Sequence, residues 1–120
     1  MATILVMDDE APIRTLIRTA LESVGHEVME AANGHDGLAL YRQRPADLVI
    51  VDIHMPEIDG LDTIIELTQQ LLDVKVIAVS GAAEDQSLLD TARLLGARQT
   101  LHKPFGLQEL LNAVRYELEH

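Results

Sequence analysis

No cysteine occurs among the 120 residues, which removes both a disulfide framework and a thiolate metal site from consideration. The five histidines contain no HxxxH pair, so zinc has no ready ligand set. Basic residues are scarce: 9 against 20 acids, for a formal charge of -11 that would repel phosphate backbones and anionic membrane surfaces. Direct nucleic-acid binding and membrane association are therefore not expected. No linker, repeat or low-complexity stretch divides the chain, and 120 residues at 48% hydrophobic content can bury one sizeable core without room for a second domain. The start, Met1-Ala2-Thr3 followed by a short apolar run and then acids, lacks the form of a signal peptide, which favours a cytoplasmic location. The tail Leu118-Glu119-His120 reads either as the start of a vector-encoded histidine tag or as a native helix end.

What the sequence does contain is a set of apolar runs that each stop on a polar residue. Leu48-Val49-Ile50-Val51 ends on Asp52, and Ile4-Leu5-Val6-Met7 ends on Asp8-Asp9-Glu10. Val76-Ile77-Ala78-Val79 ends on Ser80-Gly81. Strands apolar on both sides need cover on both faces, as in a parallel sheet flanked by helices. Glu27 to Ala31 and Arg98 to Leu101 are shorter and more polar, and belong at sheet edges. Between the strands, Ile13, Leu16, Ile17, Ala20, Leu21 and Val24 recur at helical spacing after Pro12 and before Gly25. Asn33-Gly34 caps a helix running to about Arg44, ahead of Pro45. Leu61, Ile64, Ile65 and Leu72 mark a third helix. Leu88, Ala92 and Leu95 mark a fourth over Glu84 to Leu95, with Gly96 as its stop, and Leu107, Leu110, Leu111, Val114 and Leu118 mark the last.

Strands alternating with helices imply a parallel sheet with right-handed crossovers, and two polar strands at the edges suit the flavodoxin-like order 2-1-3-4-5. Ligands of such sheets bind beyond the strands' carboxyl ends. That edge would gather Asp8, Asp9 and Asp52, with Ser80 and Lys103 beside them. Carboxylates about 4 Å apart repel by roughly 4 kcal/mol at an effective dielectric near 20, so the cluster needs a cation or protons. Magnesium takes hard oxygen ligands of this kind, often together with phosphate oxygens. A carboxylate can also attack phosphorus when a metal and a cation offset the charge of the transferring group. Lys103 could supply that cation, and the Ser80 hydroxyl a hydrogen bond.

These residues resemble the receiver domain of two-component response regulators, over the whole chain. The motif consists of Asp8-Asp9, then Asp52-Ile53-His54-Met55-Pro56 with the turn Asp59-Gly60, then Ser80, then Lys103-Pro104-Phe105. The resemblance implies a signalling domain that promotes its own phosphorylation and dephosphorylation, with residues 1–120 as the receiver. Asp52 would accept a phosphoryl group from the phosphohistidine of a histidine kinase or histidine phosphotransfer protein. Mg2+ would be held by Asp9, Asp52 and the His54 backbone carbonyl, with Asp8 acting through water. The Lys103-Pro104 bond would be cis, and an effector domain or separate downstream protein would receive the signal. Thr100 stands where many members carry an aromatic switch residue, so the read-out must use another element. Thr100 and His102 should share one side of the last strand, which makes His102 the nearest ring. His54 and Ala82 occupy the positions that tune phosphoryl lifetime.

Taken singly, each residue has a plainer reading. Asp8-Asp9-Glu10 could be a solvated loop with capping acids, Ser80-Gly81 a turn, and Lys103 a surface charge. His26, His35 and His120 read as surface residues, His54 as a backbone contributor, and His102, in its plainer reading, as a solvated edge residue. Two rival functions share the same residue types. One is a Mg-dependent phosphatase of the haloacid dehalogenase type, whose nucleophile lies in a DxD motif after the first strand, where Asp8-Asp9 stand adjacent here. The other is a phosphorylation-independent interaction module. A flavin site lacks its Gly/Ser/Thr-rich phosphate loop.

Overall fold

A computed structural model describes residues 1–54, 60–70, 74–81 and 86–120. In chain order the elements are β1 (Thr3–Met7), α1 (Ala11–Ser23), β2 (Glu27–Ala31), α2 (Gly34–Gln43), β3 (Leu48–Asp52), α3 (Gly60–Ile65), β4 (Val76–Ser80), α4 (Gln86–Leu94), β5 (Gln99–His102) and α5 (Leu107–Glu119). All strands pair in parallel in the order β2-β1-β3-β4-β5. This is the flavodoxin-like arrangement expected from the sequence, with both polar strands at the edges.

The pleat divides the core in two. Leu5, Met7, Val49, Val51, Val76 and Ala78 face α2, α3 and α4, where they meet Leu38, Ile64, Leu67, Leu89 and Ala92. Ile4, Val6, Leu48, Ile50, Ile77, Val79 and Leu101 face α1 and α5, where they meet Ile17, Leu21, Leu110 and Val114. Every residue of β3 and β4 is buried, as two-sided apolar strands require. Two glycines close helices in the left-handed region, Gly25 at φ 93° and Gly96 at φ 123°.

Several helix faces differ from the sequence pattern. Leu16 and Val24 are exposed rather than buried. Leu16 lies at the rim of the arc set by Ile13, Ile17, Ala20 and Leu21, and Val24 has already left the helix as its C-cap. Leu107 is likewise exposed at the first turn of α5, whereas Leu110 and Val114 are buried. Beyond Ile65 the helix continues as a π-turn over Glu66–Gln70 and buries Leu67. Leu72 lies outside the described residues. Gly60, expected in a turn, is the first residue of α3, and Asp59 is outside the described residues. Expected helix start Glu84 is also outside them, and Leu89 joins Ala92 on the buried face of α4. The last strand is displaced by one residue relative to Arg98–Leu101, so His102 belongs to β5 and pairs with Ser80. Leu118 and Glu119 continue α5, and His120 stacks on Tyr116.

Candidate functional site

Parallel pairing brings the carboxyl ends of β1, β3, β4 and β5 to one edge, and the polar residues that stop each apolar run meet there. Asp52 is the last residue of β3, Ser80 the last of β4, Asp8 follows β1 directly, and Lys103 follows β5. Lys103 is fixed through its backbone, whose N–H donates to the Ser80 carbonyl at 2.7 Å, and the Lys103-Pro104 peptide is cis. Its ammonium contacts three carboxylates: Asp8 Oδ2 at 2.8 Å, Glu10 Oε1 at 2.9 Å and Asp52 Oδ2 at 3.1 Å.

The two central acids are each oriented by the local backbone. Asp52 Oδ1 accepts the His54 N–H at 2.9 Å, and Asp8 Oδ1 accepts the Glu10 N–H at 2.9 Å. The Asp8 carbonyl accepts Arg14 Nη1 at 2.6 Å, and Arg14 is in turn held by Glu30 at 3.2 Å. Both acid side chains are 3% exposed, as against 58% for Glu10. Asp9 is exposed, and its carboxylate belongs to the same cluster. A cleft of about 320 Å³ opens above them, lined by Asp9, Glu10, Asp52, His54, Gly81 and Lys103. A larger hollow of about 850 Å³ lies at the opposite ends of the strands, beside α5, and contains none of these residues.

The electrostatics follow from burial and crowding. Burial pushes the Asp52 carboxyl up to about 6, the nearby Asp8 charge adds to the rise, and the His54 N–H and Lys103 oppose it. Burial alone would lower Lys103, but its bonds to Asp8, Glu10 and Asp52 outweigh that and hold it above the ordinary lysine range. The ammonium therefore stays charged at neutral pH. Ligand oxygens of Asp8, Asp9, Glu10 and Asp52 all lie within 4.8 Å of one another. An all-oxygen, net-negative cluster open to a cleft fits a hard divalent cation such as Mg2+.

The expected residues Asp8, Asp9, Asp52, Ser80 and Lys103 thus converge, together with the His54 backbone. Ala82 lies outside the described residues. Thr100 and His102 are partly buried, while Leu101 packs on the α1 and α5 side, as strand alternation requires. The His102 ring is not simply solvated, because its Nε2 lies 2.9 Å from Gln86 Oε1 at the first residue of α4. His26 is half-buried rather than on the surface, and its Nδ1 accepts the Ala2 N–H at 3.2 Å. Burial, and then the N-terminal amine, lower its pKa. His35 is exposed.

The sequence pattern did not single out Glu10, Arg14 or Gln86. Glu10 carried the most accessible signal, since it follows the Asp8-Asp9 pair directly and its backbone N–H closes the turn on the Asp8 carboxylate at the strand edge.

Comparison with known proteins agrees with this arrangement. The response regulator receiver domain family matches residues 4–115, and the chain belongs to that family, the receiver class of two-component systems. It is 38% identical over 118 residues to the KDP operon transcriptional regulatory protein KdpE of Escherichia coli, covering 98% of this chain and 52% of that protein. It is 34% identical over 116 residues to the chemotaxis protein CheY of Bacillus subtilis, covering 96% of each. The crystal structure of the receiver domain of NtrX from Brucella abortus superposes with a TM-score of 0.92 at 32% identity, over 97% of this chain and 98% of that one. The chain spans about half the length of most of the curated relatives it matches, including 46% of a probable transcriptional regulator ycf27 of Porphyridium aerugineum, to which it is 38% identical over 112 residues (93% of this chain). Among the described residues, no helix is long and apolar enough to cross a membrane.

Proposed function

We propose that this receiver domain takes a phosphoryl group onto Asp52 from the phosphohistidine of a histidine kinase or histidine phosphotransfer protein, in a Mg2+-dependent reaction. The observation that carries the reading is the meeting of Asp52, Asp8 and Lys103 at one sheet edge, with Lys103 within 2.8 to 3.1 Å of both acids. An Asp52 oxygen forms the new P–O bond while the P–N bond to the donor imidazole breaks, and the imidazole leaves with the electron pair and picks up a proton. Lys103 balances charge on the phosphoryl oxygens, and the His54 N–H holds Asp52 Oδ1, which leaves Oδ2, 3.1 Å from the Lys103 ammonium, as the attacking oxygen. Asp9, Asp52 and the His54 carbonyl would hold Mg2+, with Asp8 contributing through water. The bound ion would neutralise the acids and the phosphoryl oxygens together.

The domain acts as a signalling switch that promotes its own phosphorylation and dephosphorylation rather than as a turnover enzyme. Its output partner is an effector domain or a separate downstream protein, reached from a cytoplasmic location and without direct nucleic-acid contact by this domain. Intact-mass measurement after incubation with an acyl phosphate and Mg2+ tests the assignment. One added phosphoryl group is expected on the wild type and none on Asp52→Asn. Equal uptake by both proteins would move the acceptor elsewhere, and no uptake by the wild type would favour an interaction module that works without phosphate.

Thr100 has no ring to turn, so the read-out is assigned to His102. Its hydrogen bond to Gln86 joins the end of β5, one residue from Lys103, to the start of α4. The segment of residues 82–85 that precedes α4 lies outside the described residues. A useful signal needs roughly 1 to 3 kcal/mol of coupling between site and partner surface. On adding a phosphoryl mimic such as beryllofluoride, the His102 ring and Gln86 amide NMR signals are expected to shift together, and His102→Ala to reduce the response of α4. An unmoved His102 alongside shifted α4 signals would remove it from the mechanism.

A further inference from the structure

Lysine ammonium has three N–H donors, and in this structure all three face carboxylates: Asp8 at 2.8 Å, Glu10 at 2.9 Å and Asp52 at 3.1 Å. Phosphorylation turns the Asp52 carboxylate into a neutral acyl group and so frees one Lys103 donor, but a second donor for the phosphoryl oxygens must come from Asp8 or Glu10. Those two partners are not equal. Asp8 is 3% exposed, and releasing it from the ammonium would leave a charge in a poorly solvated place. Glu10 is 58% exposed, so water can take over its carboxylate at little cost.

The geometry points to Glu10 as the exchangeable partner of Lys103: a positioning residue that occupies the lysine's third donor in the resting state and yields it to the phosphoryl group. The inference rests on the phosphoacceptor reading of Asp52. Glu10 also lines the cleft through which a phosphoryl donor must approach, so its charge opposes an anionic donor twice, by repulsion at the mouth and by competition for Lys103. Its backbone is the N-cap of α1, and its N–H bond to Asp8 does not involve the side chain. The side chain can thus be changed without disturbing that turn.

The test compares wild type, Glu10→Gln and Glu10→Asp with acetyl phosphate as donor. In that step an Asp52 oxygen bonds to phosphorus as the bond to acetate breaks, and acetate leaves with the electron pair. Glu10→Gln is expected to be phosphorylated roughly three- to tenfold faster at low ionic strength, with the gain shrinking at high salt, because it arises from a screened charge. Glu10→Asp, which keeps the charge, should lie nearer the wild type. In the metal-free protein the ¹⁵N signal of the Lys103 ammonium should shift in Glu10→Gln, and rates are compared at saturating Mg2+ because the Glu10 charge lies close enough to the other acids to attract the ion as well. Slower phosphorylation together with at least a tenfold loss of Mg2+ affinity would make Glu10 a metal ligand and overturn the proposal. A labelled wild type with Glu10→Gln no faster would defeat this inference alone, whereas a wild type that takes no phosphate would defeat the phosphoacceptor reading and this inference with it.

Discussion

Asp52→Asn is expected to make the metal-free domain more stable at about pH 7.5, by roughly 1 to 3 kcal/mol. Burial, with the Asp8 charge behind it, raises the Asp52 carboxyl from an ordinary 3.8 to about 6. The folded chain therefore holds a proton there over a pH range in which the unfolded chain has released it. For this group, stability is fully present below the unfolded value and is lost as pH rises through the folded one. Between those two values the cost can reach roughly 3 kcal/mol, since each unit is worth about 1.4 kcal/mol. Asparagine has no charge to bury, so the difference between the proteins should appear between about pH 4 and pH 6 and vanish in more acidic solution. For a domain of this size the gain corresponds to a Tm rise of roughly 3 to 15 °C. Added Mg2+ should stabilise the wild type by mass action and narrow the gap, with much less effect on the variant. Thermal melts of both proteins at several pH values, with and without Mg2+, decide the matter. A variant no more stable than wild type at neutral pH would mean that Asp52 is not electrostatically strained.

The same burial explains why so much of this site could be read in the chain before any fold was known. A strand apolar on both sides must be central, so Asp52 and Ser80 had to emerge at an edge between covered faces. The glutamates at 27 and 30 directed β2 to the outside, and the sheet order followed. What the pattern left out depends on contacts between distant segments. The limits of β5 are set by its pairing to β4, Ser80 opposite His102, which nothing within residues 98–102 specifies. Leu16 and Leu107 carry the right spacing but fall outside the arcs that the sheet covers, and no local rule places that boundary. The Glu10 carboxylate reaches Lys103 across 93 positions of sequence. Gln86 became visible only because the ring of His102 lies opposite it.

Gly60 is the position where the largest mechanical effect is expected. As the first residue of α3 it rests against the chain leaving β3, and its N–H donates to the Ile53 carbonyl at 3.3 Å. A Cβ at this point would stand 2.2 Å from Ile53 Cα and 2.3 Å from the Asp52 carbonyl oxygen. Those are backbone atoms and cannot rotate aside, so α3 or the β3 end must move. Gly37 offers a contrast, because a Cβ there would meet the Met7 side chain at 2.5 Å, and methionine can repack. Gly106 has nothing within 4 Å. Alanine substitution should therefore cost about 2 to 4 kcal/mol at Gly60, about 1 to 2 at Gly37 and under about 1 at Gly106, as read from denaturant unfolding. Function should separate the sites further. Displacing the Asp52-Ile53 backbone disturbs the 2.9 Å bond from the His54 N–H to Asp52 Oδ1 that aims the acceptor. A misplacement near 1 Å at a reacting group can cost about a hundredfold in rate. Gly60→Ala should thus lose phosphoryl uptake from acetyl phosphate even where it remains folded, while Gly106→Ala keeps it. If Gly60→Ala is as stable as Gly106→Ala and takes up phosphate at the wild-type rate, α3 is not seated against the acceptor strand in the way described.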